Sequence, residues 1–94
     1  MNLYLISQSI NRGYDTYDSA VVAAEGEQAA RETLPDNNSE WRTYELDEDG
    51  FWVDEDGDHP TDWAENVSQV SVKYLGQAAE GTPSGVILAS FNAG

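Results

Sequence analysis

The chain has 94 residues, with eighteen acidic side chains against four basic ones and a formal net charge of −14 at pH 7. This length supports one domain with one modest core. A charge of this sign repels nucleic acids and attracts basic protein surfaces, which argues against direct nucleic-acid binding. The absence of Cys excludes a disulfide framework and thiolate chemistry.

The N-terminal stretch MNLYLISQSINRG lacks both the basic leader and the long apolar run of a targeting or membrane-spanning segment. We therefore expect no signal peptide, no membrane association and a cytoplasmic location.

The first part of the chain predicts two strands and a helix. NLYLISQ (2–8) and SAVVAA (19–24) are short apolar runs typical of strands, and the turn-forming residues between them predict a hairpin with a long loop. GEQAARETLP (26–35) is rich in helix formers and pairs Glu27 with Arg31 at the i,i+4 spacing. So short a helix must pack on a sheet to be stable.

The middle of the chain, residues 36–65, contains twelve of the eighteen acids and all three Trp residues. WRTYEL (41–46) and FWV (51–53) predict the strands of a hairpin joined by a DEDG turn. DEDGDHPTD (54–62) predicts a second turn or loop. We expect a hairpin with acidic rims around aromatic residues, mobile at its tip.

The C-terminal part predicts two further strands. In VSQVSVKYLG (67–76), alternation places Val70, Val72 and Tyr74 on one face. The apolar run 86–91 within GVILASFNAG predicts the last strand.

These elements define one α+β domain over residues 1–94, in the order β-β-α-(β-β)-β-β. The predicted sheet is mostly antiparallel, with one short helix packed on a face. The acidic, Trp-containing hairpin is an insertion at about residues 36–65.

Two stretches, LYLISQSINRGYDTYDSAVVAAE and GVILASFNAG, resemble a group of short acidic proteins of bacteriophage and prophage genomes. The resemblance covers the two ends of the chain and leaves the acidic middle as the variable part. It implies a setting rather than an activity, because small acidic phage proteins often inhibit host defence or host transcription.

A calcium site is an alternative interpretation of the acids. Glu45, Asp47, Asp49 and Gly50 fall where an EF-hand loop has its first three ligands and its glycine, and Asp56 falls at its twelfth position. That motif, however, requires Asp first, Glu twelfth and a helix on each side, whereas WRTYEL predicts a strand. The leading expectation is no metal and no cofactor, and the alternative is a calcium-dependent binding module.

Other chemistry has little support. Asp54, Asp56, Asp58 and His59 could contact one ion, but a single imidazole with carboxylates makes a loose site, so an exposed loop histidine is favoured. Nothing positions a Ser beside the only histidine, and so small a domain has little volume for a sugar cleft between paired carboxylates. We expect that the protein is not an enzyme.

The acids of the middle segment could imitate DNA, which carries one negative charge per roughly 1.7 Å of duplex axis. Alternate residues of a strand lie roughly 7 Å apart on one face. Glu45 and Asp47 have that spacing, and Asp54, Asp56 and Asp58 repeat it if the chain is extended there. The alternative is a solvated loop, the usual role of a charge run.

The three Trp residues, Trp41, Trp52 and Trp63, are spaced eleven apart. Exposing them all would be costly, so we favour their packing together and fixing the acidic segment to the sheet. The other interpretation places Trp52 on a partner-facing surface, where Trp is often a binding hot spot.

The leading prediction is a phage-type inhibitor that resembles DNA in charge and occupies a basic, nucleic-acid-binding surface of a host protein. Anti-CRISPR, anti-restriction or anti-transcription activity would each fit. The predicted partner-binding residues are Glu45, Asp47, Glu48, Asp49, Trp52, Asp54, Glu55, Asp56 and Asp58. The alternative is a small structural or accessory phage protein that assembles through a sheet edge.

Overall fold

The computed structural model describes residues 1–36 and 43–92. Its elements, in chain order, are β1 (Asn2–Ser7), β2 (Thr16–Ala24), α1 (Glu27–Arg31), β3 (Glu45–Leu46), β4 (Trp52–Val53), a 3₁₀-helix (Val67–Gln69), β5 (Ser71–Gln77) and β6 (Gly85–Asn92). The predicted α+β class and the order of helix and strands are confirmed. Within the described ranges, no helix has the length and apolar character needed to span a membrane.

Four strands form one antiparallel sheet in the order β5-β1-β2-β6. The β1–β2 hairpin lies at its centre, with Tyr4 opposite Val22 and Ile6 opposite Ala20. These residues are buried, whereas their neighbours in sequence point to the other face. The first two strands therefore supply the centre of the core, and the last two extend the sheet on either side.

Several strand boundaries differ from the prediction, and two of the differences have a visible cause. β2 begins at Thr16, before the apolar run, because Thr16 and Tyr17 pair with Asn92 and Phe91 of β6. The predicted strand over 67–76 instead starts with the 3₁₀-helix. Asn66 causes this, since its side chain accepts a hydrogen bond from the Ser68 N–H and its N–H donates to the Gln69 side chain.

The helix α1 is shorter than predicted and depends on its contacts with the sheet. Ala30 is fully buried, and the Arg31 guanidinium donates to the Val70 carbonyl just before β5. Arg31 also pairs with Glu27 at 3.0 Å, as the i,i+4 spacing predicted. This surface pair contributes little, so burial of Ala30 and the bond to Val70 position the helix.

The acidic segment shares the core of the sheet. Trp52, Trp63 and Ala64 belong to one buried cluster with Tyr4, Ile6, Ala20, Val22, Ala24, Ala30, Leu34 and Val70. The favoured interpretation, in which Trp residues fix the segment to the sheet, holds for Trp52 and Trp63. Trp41 and Arg42, the first two positions of the predicted strand 41–46, lie outside the described residues.

Candidate acidic binding surface

Residues 45–65, here called the acidic lobe, attach to the core face of the sheet through Trp52 and Trp63. These side chains are 5% and 0% exposed. Backbone contacts add to the attachment: the Tyr17 N–H donates to the Asp62 carbonyl at 2.8 Å, and the Asn11 side chain donates to the Trp63 carbonyl at 2.6 Å. The lobe therefore has a defined position relative to the sheet.

The first turn of the lobe, residues 47–51, joins β3 to β4. One carboxylate oxygen of Asp47, Oδ1, accepts hydrogen bonds from the N–H groups of Asp49 and Phe51, both at 2.9 Å. The Asp47 N–H donates to the Phe51 carbonyl at 2.9 Å. Gly50 has a φ of +86°, a conformation that glycine adopts without steric cost. An Asp that bonds its own turn and a Gly at the left-handed position make the turn self-supporting.

The second turn, residues 54–58, repeats this arrangement. Asp54 Oδ1 accepts from the N–H groups of Asp56 and Asp58, both at 2.9 Å, and the Asp54 N–H donates to the Asp58 carbonyl at 2.9 Å. Gly57 has a φ of +82°. The sequence DEDG occurs at both places, seven residues apart. That repeat was the signal from which two copies of one turn could have been predicted.

This geometry divides the predicted partner-binding residues into three groups. Asp47 and Asp54 each use Oδ1 to hold a turn. Trp52 is buried against the sheet and supplies apolar area to the core, which corrects the expectation that it lies on a partner-facing surface. The remaining six acids are exposed and form the outer surface of the lobe: Glu45, Glu48, Asp49, Glu55, Asp56 and Asp58.

The spacing of roughly 7 Å for Asp54, Asp56 and Asp58 required an extended segment, and the structure has instead the turn that DEDGDHPTD predicted. The segment folds into a turn, and carboxylate oxygens of Asp54, Asp56 and Asp58 lie within 4.8 Å of one another. The negative charge is therefore denser than an extended strand would provide.

The calcium alternative lacks the framework of an EF-hand. Strands β3 and β4, rather than helices, flank the first turn. Oxygen Oδ1 of Asp47 already accepts two backbone N–H groups. Asp56, the proposed twelfth-position ligand, belongs to the second turn.

His59 is partly buried, which corrects the expectation of an exposed loop histidine. Its Nδ1 lies 2.8 Å from the Trp52 carbonyl oxygen, and its ring lies 5.2 Å from that of Phe51. The imidazole thus connects strand β4 to the residues that follow the second turn.

Two further acids meet at the base of the lobe, where sequence reasoning found no site. Burial raises the pKa of Asp62, and the nearby Asp36 carboxylate raises it further, while a backbone hydrogen bond partly opposes the shift. Burial also raises the pKa of Tyr17, with Asp36 and Asp62 adding to the effect. Since these three residues are distant in sequence, only the fold reveals their proximity.

Comparisons with protein-family models, curated protein sequences and solved structures gave no match. The resemblance to phage proteins therefore remains a prediction from the sequence.

Proposed function

We propose that this chain is a non-enzymatic, cytoplasmic binding protein that occupies a basic, nucleic-acid-binding surface of another protein. The observation that carries the proposal is the pair of matching turns in the acidic lobe. Each turn uses one Asp to fix its own backbone and presents its other carboxylates to solvent. The lobe is thus an anionic surface with a fixed backbone conformation.

The composition of the lobe makes a basic partner the best match. Residues 45–65 contain ten acids and no Lys or Arg. Carboxylates form short, charge-assisted hydrogen bonds with Arg and Lys, the same side chains that hold phosphate groups. A groove that releases counterions when it binds DNA would release them in the same way on binding the lobe.

The fixed turns favour binding energetically. A segment that folds only on contact loses part of its binding free energy to ordering. Here the two turns and the buried Trp side chains fix the backbone in advance. Trp52 acts in this proposal as internal support, and the exposed acids provide the contacts.

The phage-like ends of the sequence suggest the class of target. An inhibitor of host defence would bind a CRISPR effector or a restriction enzyme, and an inhibitor of transcription would bind a transcription factor. The competing role, an accessory phage protein with an acidic lobe that only confers solubility, predicts no such partner.

The proposal can be tested by capture from bacterial lysate at low salt with three baits. One bait is the native chain. The second neutralises exposed acids of the second turn: Glu55→Gln, Asp56→Asn and Asp58→Asn. The third neutralises three exposed acids outside the lobe, with the same change in net charge: Glu25→Gln, Glu32→Gln and Glu80→Gln.

The proposed function predicts that the native chain and the third bait capture the same nucleic-acid-binding protein, whereas the second bait loses it. Equal capture by all three baits would assign binding to another surface. Equal loss from both variants would indicate attraction by net charge alone. Either result would contradict the proposal.

A further inference from the structure

The face of the sheet opposite the core carries apolar side chains and little charge. The register places Leu3 opposite Ala23, and Leu5 opposite Val21 and Lys73. Val21 in turn lies opposite Leu88. Leu5, Val21 and Leu88 line a shallow groove of about 290 Å³ with neighbouring small residues. The helix and the acidic lobe pack on the other face, so the described residues leave this open face uncovered.

Strand β6 borders this open face and is an edge strand. It pairs with β2, and within residues 1–36 and 43–92 no strand pairs with its outer edge. It has eight residues, none charged, although 23% of the chain is charged. Ile87, Leu88 and Phe91 are 52%, 68% and 46% exposed. Proteins usually protect such an edge with charges or Pro, because it offers unpaired backbone groups to another strand.

The distribution of charge restricts where a second copy of the chain can bind. Two copies of a chain with a net charge of −14 repel each other wherever their acidic surfaces meet. Strand β6 is an exception, because it carries no charge and the acidic lobe lies on the other face of the sheet. Lys73 is the charged residue that the register places on the open face beside Leu5.

We propose that a second copy of this chain pairs with β6, edge to edge and antiparallel, to form a two-fold dimer with a continuous eight-stranded sheet. A strand that pairs antiparallel with its own copy satisfies two-fold symmetry, because the same residues contact each other from both sides. An axis near the middle of β6 brings Leu88 beside the Leu88 of the second copy on the open face. Exposed apolar area of β6 is then buried between the two copies, and the two acidic lobes stay apart.

The mass of the chain in solution, measured by sedimentation over a concentration series, tests this dimer. The native chain is expected to be a dimer, and Leu88→Lys is expected to weaken dimerisation at least tenfold because it places a charge in the apolar contact. The matched control is Leu75→Lys on the other edge strand, β5, where Leu75 is 47% exposed. This control is expected to dimerise as the native chain does. Leu5→Lys distinguishes edge pairing from stacking of the open faces, since only stacking would depend on it.

Spin-label distances provide a second readout that does not depend on a disruptive substitution. Since the chain has no Cys, Ser90→Cys and Ser71→Cys each give one labelling site, on β6 and on β5. With strands about 4.8 Å apart, the proposed sheet places the two β5 labels roughly 34 Å apart, and the two β6 labels much closer.

A native chain that stays monomeric throughout the concentration series would overturn the proposal. Dimerisation that resists Leu88→Lys, or a shorter distance between the β5 labels than between the β6 labels, would do the same. Circular dichroism of each variant establishes that it folds before its mass is interpreted.

Discussion

The two DEDG turns of the acidic lobe share one sequence and one set of internal hydrogen bonds, yet they differ in their surroundings. The first turn is held from outside: the Asn66 side chain donates to the Asp49 carbonyl at 3.2 Å, and the Val67 N–H donates to the Gly50 carbonyl at 3.0 Å. Gly57 of the second turn has open space where a Cβ would be. The first turn is thus part of the packed structure, and the second projects from it.

This difference separates what local sequence determines from what the fold determines. In both places, one Asp oxygen accepts hydrogen bonds from two N–H groups later in the turn, and a Gly adopts the left-handed conformation. These two features give the same turn twice. The contacts with residues 66 and 67 then make the first turn a structural element. In the second turn, the exposed carboxylates of Asp56 and Asp58 lie close together, so the proposed function gives this turn the larger share of partner binding.

Substituting the two turn glycines is expected to have the largest effect and to reveal the difference directly. In Gly57→Ala only the left-handed backbone is strained, at about 1–2 kcal/mol. In Gly50→Ala the new Cβ also meets the Val67 side chain at 3.1 Å and the Asn66 side chain at 3.3 Å, so we expect a loss of about 2–4 kcal/mol. Urea unfolding of both variants measures the two losses, and equal losses would show that the first turn is not held more tightly.

Removing the Asn66 side chain should weaken the first turn and the 3₁₀-helix, but not the second turn. Asn66→Ala loses the cap of the 3₁₀-helix and the bond to the Asp49 carbonyl, and should cost about 1–2 kcal/mol of unfolding free energy. Asn66→Asp keeps the capping oxygen but loses the donated bond, so its cost should be smaller. Amide exchange in residues 54–58 should be unchanged in both variants, and faster exchange there would mean that the two turns are coupled.

Replacing the Asp that closes each turn should have a smaller and different effect in each. Asp47→Ala should lower the free energy of unfolding by about 1 kcal/mol, because it breaks two hydrogen bonds in a packed turn. Asp54→Ala should mainly speed amide exchange at Asp56 and Asp58, with little effect on global stability. Asp54→Asn retains an acceptor oxygen and serves as the control. If Asp54→Ala destabilises the whole fold as much as Asp47→Ala, the second turn is packed as firmly as the first.

The smallest expected effect concerns Asp62 at the base of the lobe. Its pKa is raised in the folded protein, so folding favours the protonated form, and this stabilisation is lost as the pH rises through the raised pKa. Asp62→Asn should therefore raise Tm by a few degrees at pH 7. The gain should shrink as the pH falls through the raised pKa and should be absent below the ordinary Asp value of 3.8, where Asp62 is protonated in both states.

The exposed Glu80, which lies outside the lobe, provides the control for Asp62. Glu80→Gln makes the same change in net charge without relieving a buried carboxylate. Equal gains in Tm from the two substitutions would attribute the effect to general repulsion rather than to the burial of Asp62.

Alternation and composition were sufficient to predict the sheet, because the buried positions of β1 and β2 follow the period of two. Alternation and composition did not predict where β5 begins. There Asn66 and Gln69 cap a 3₁₀-helix through side-chain hydrogen bonds, which a hydrophobicity pattern does not contain. These patterns also left the place of Trp52 open between core and surface. Burial depends on contacts between distant segments, and the same reason explains why the meeting of Asp36, Asp62 and Tyr17 went unpredicted.

The proposed function requires that the exposed acids of the lobe occupy a phosphate-binding surface of the partner protein. The most direct test is whether a short DNA duplex displaces the captured protein from the immobilised native chain. We expect competitive displacement at low salt, and we expect capture by the chain itself to weaken as the salt concentration rises because ionic contacts are screened. A captured protein that binds the duplex and the chain at the same time would contradict it.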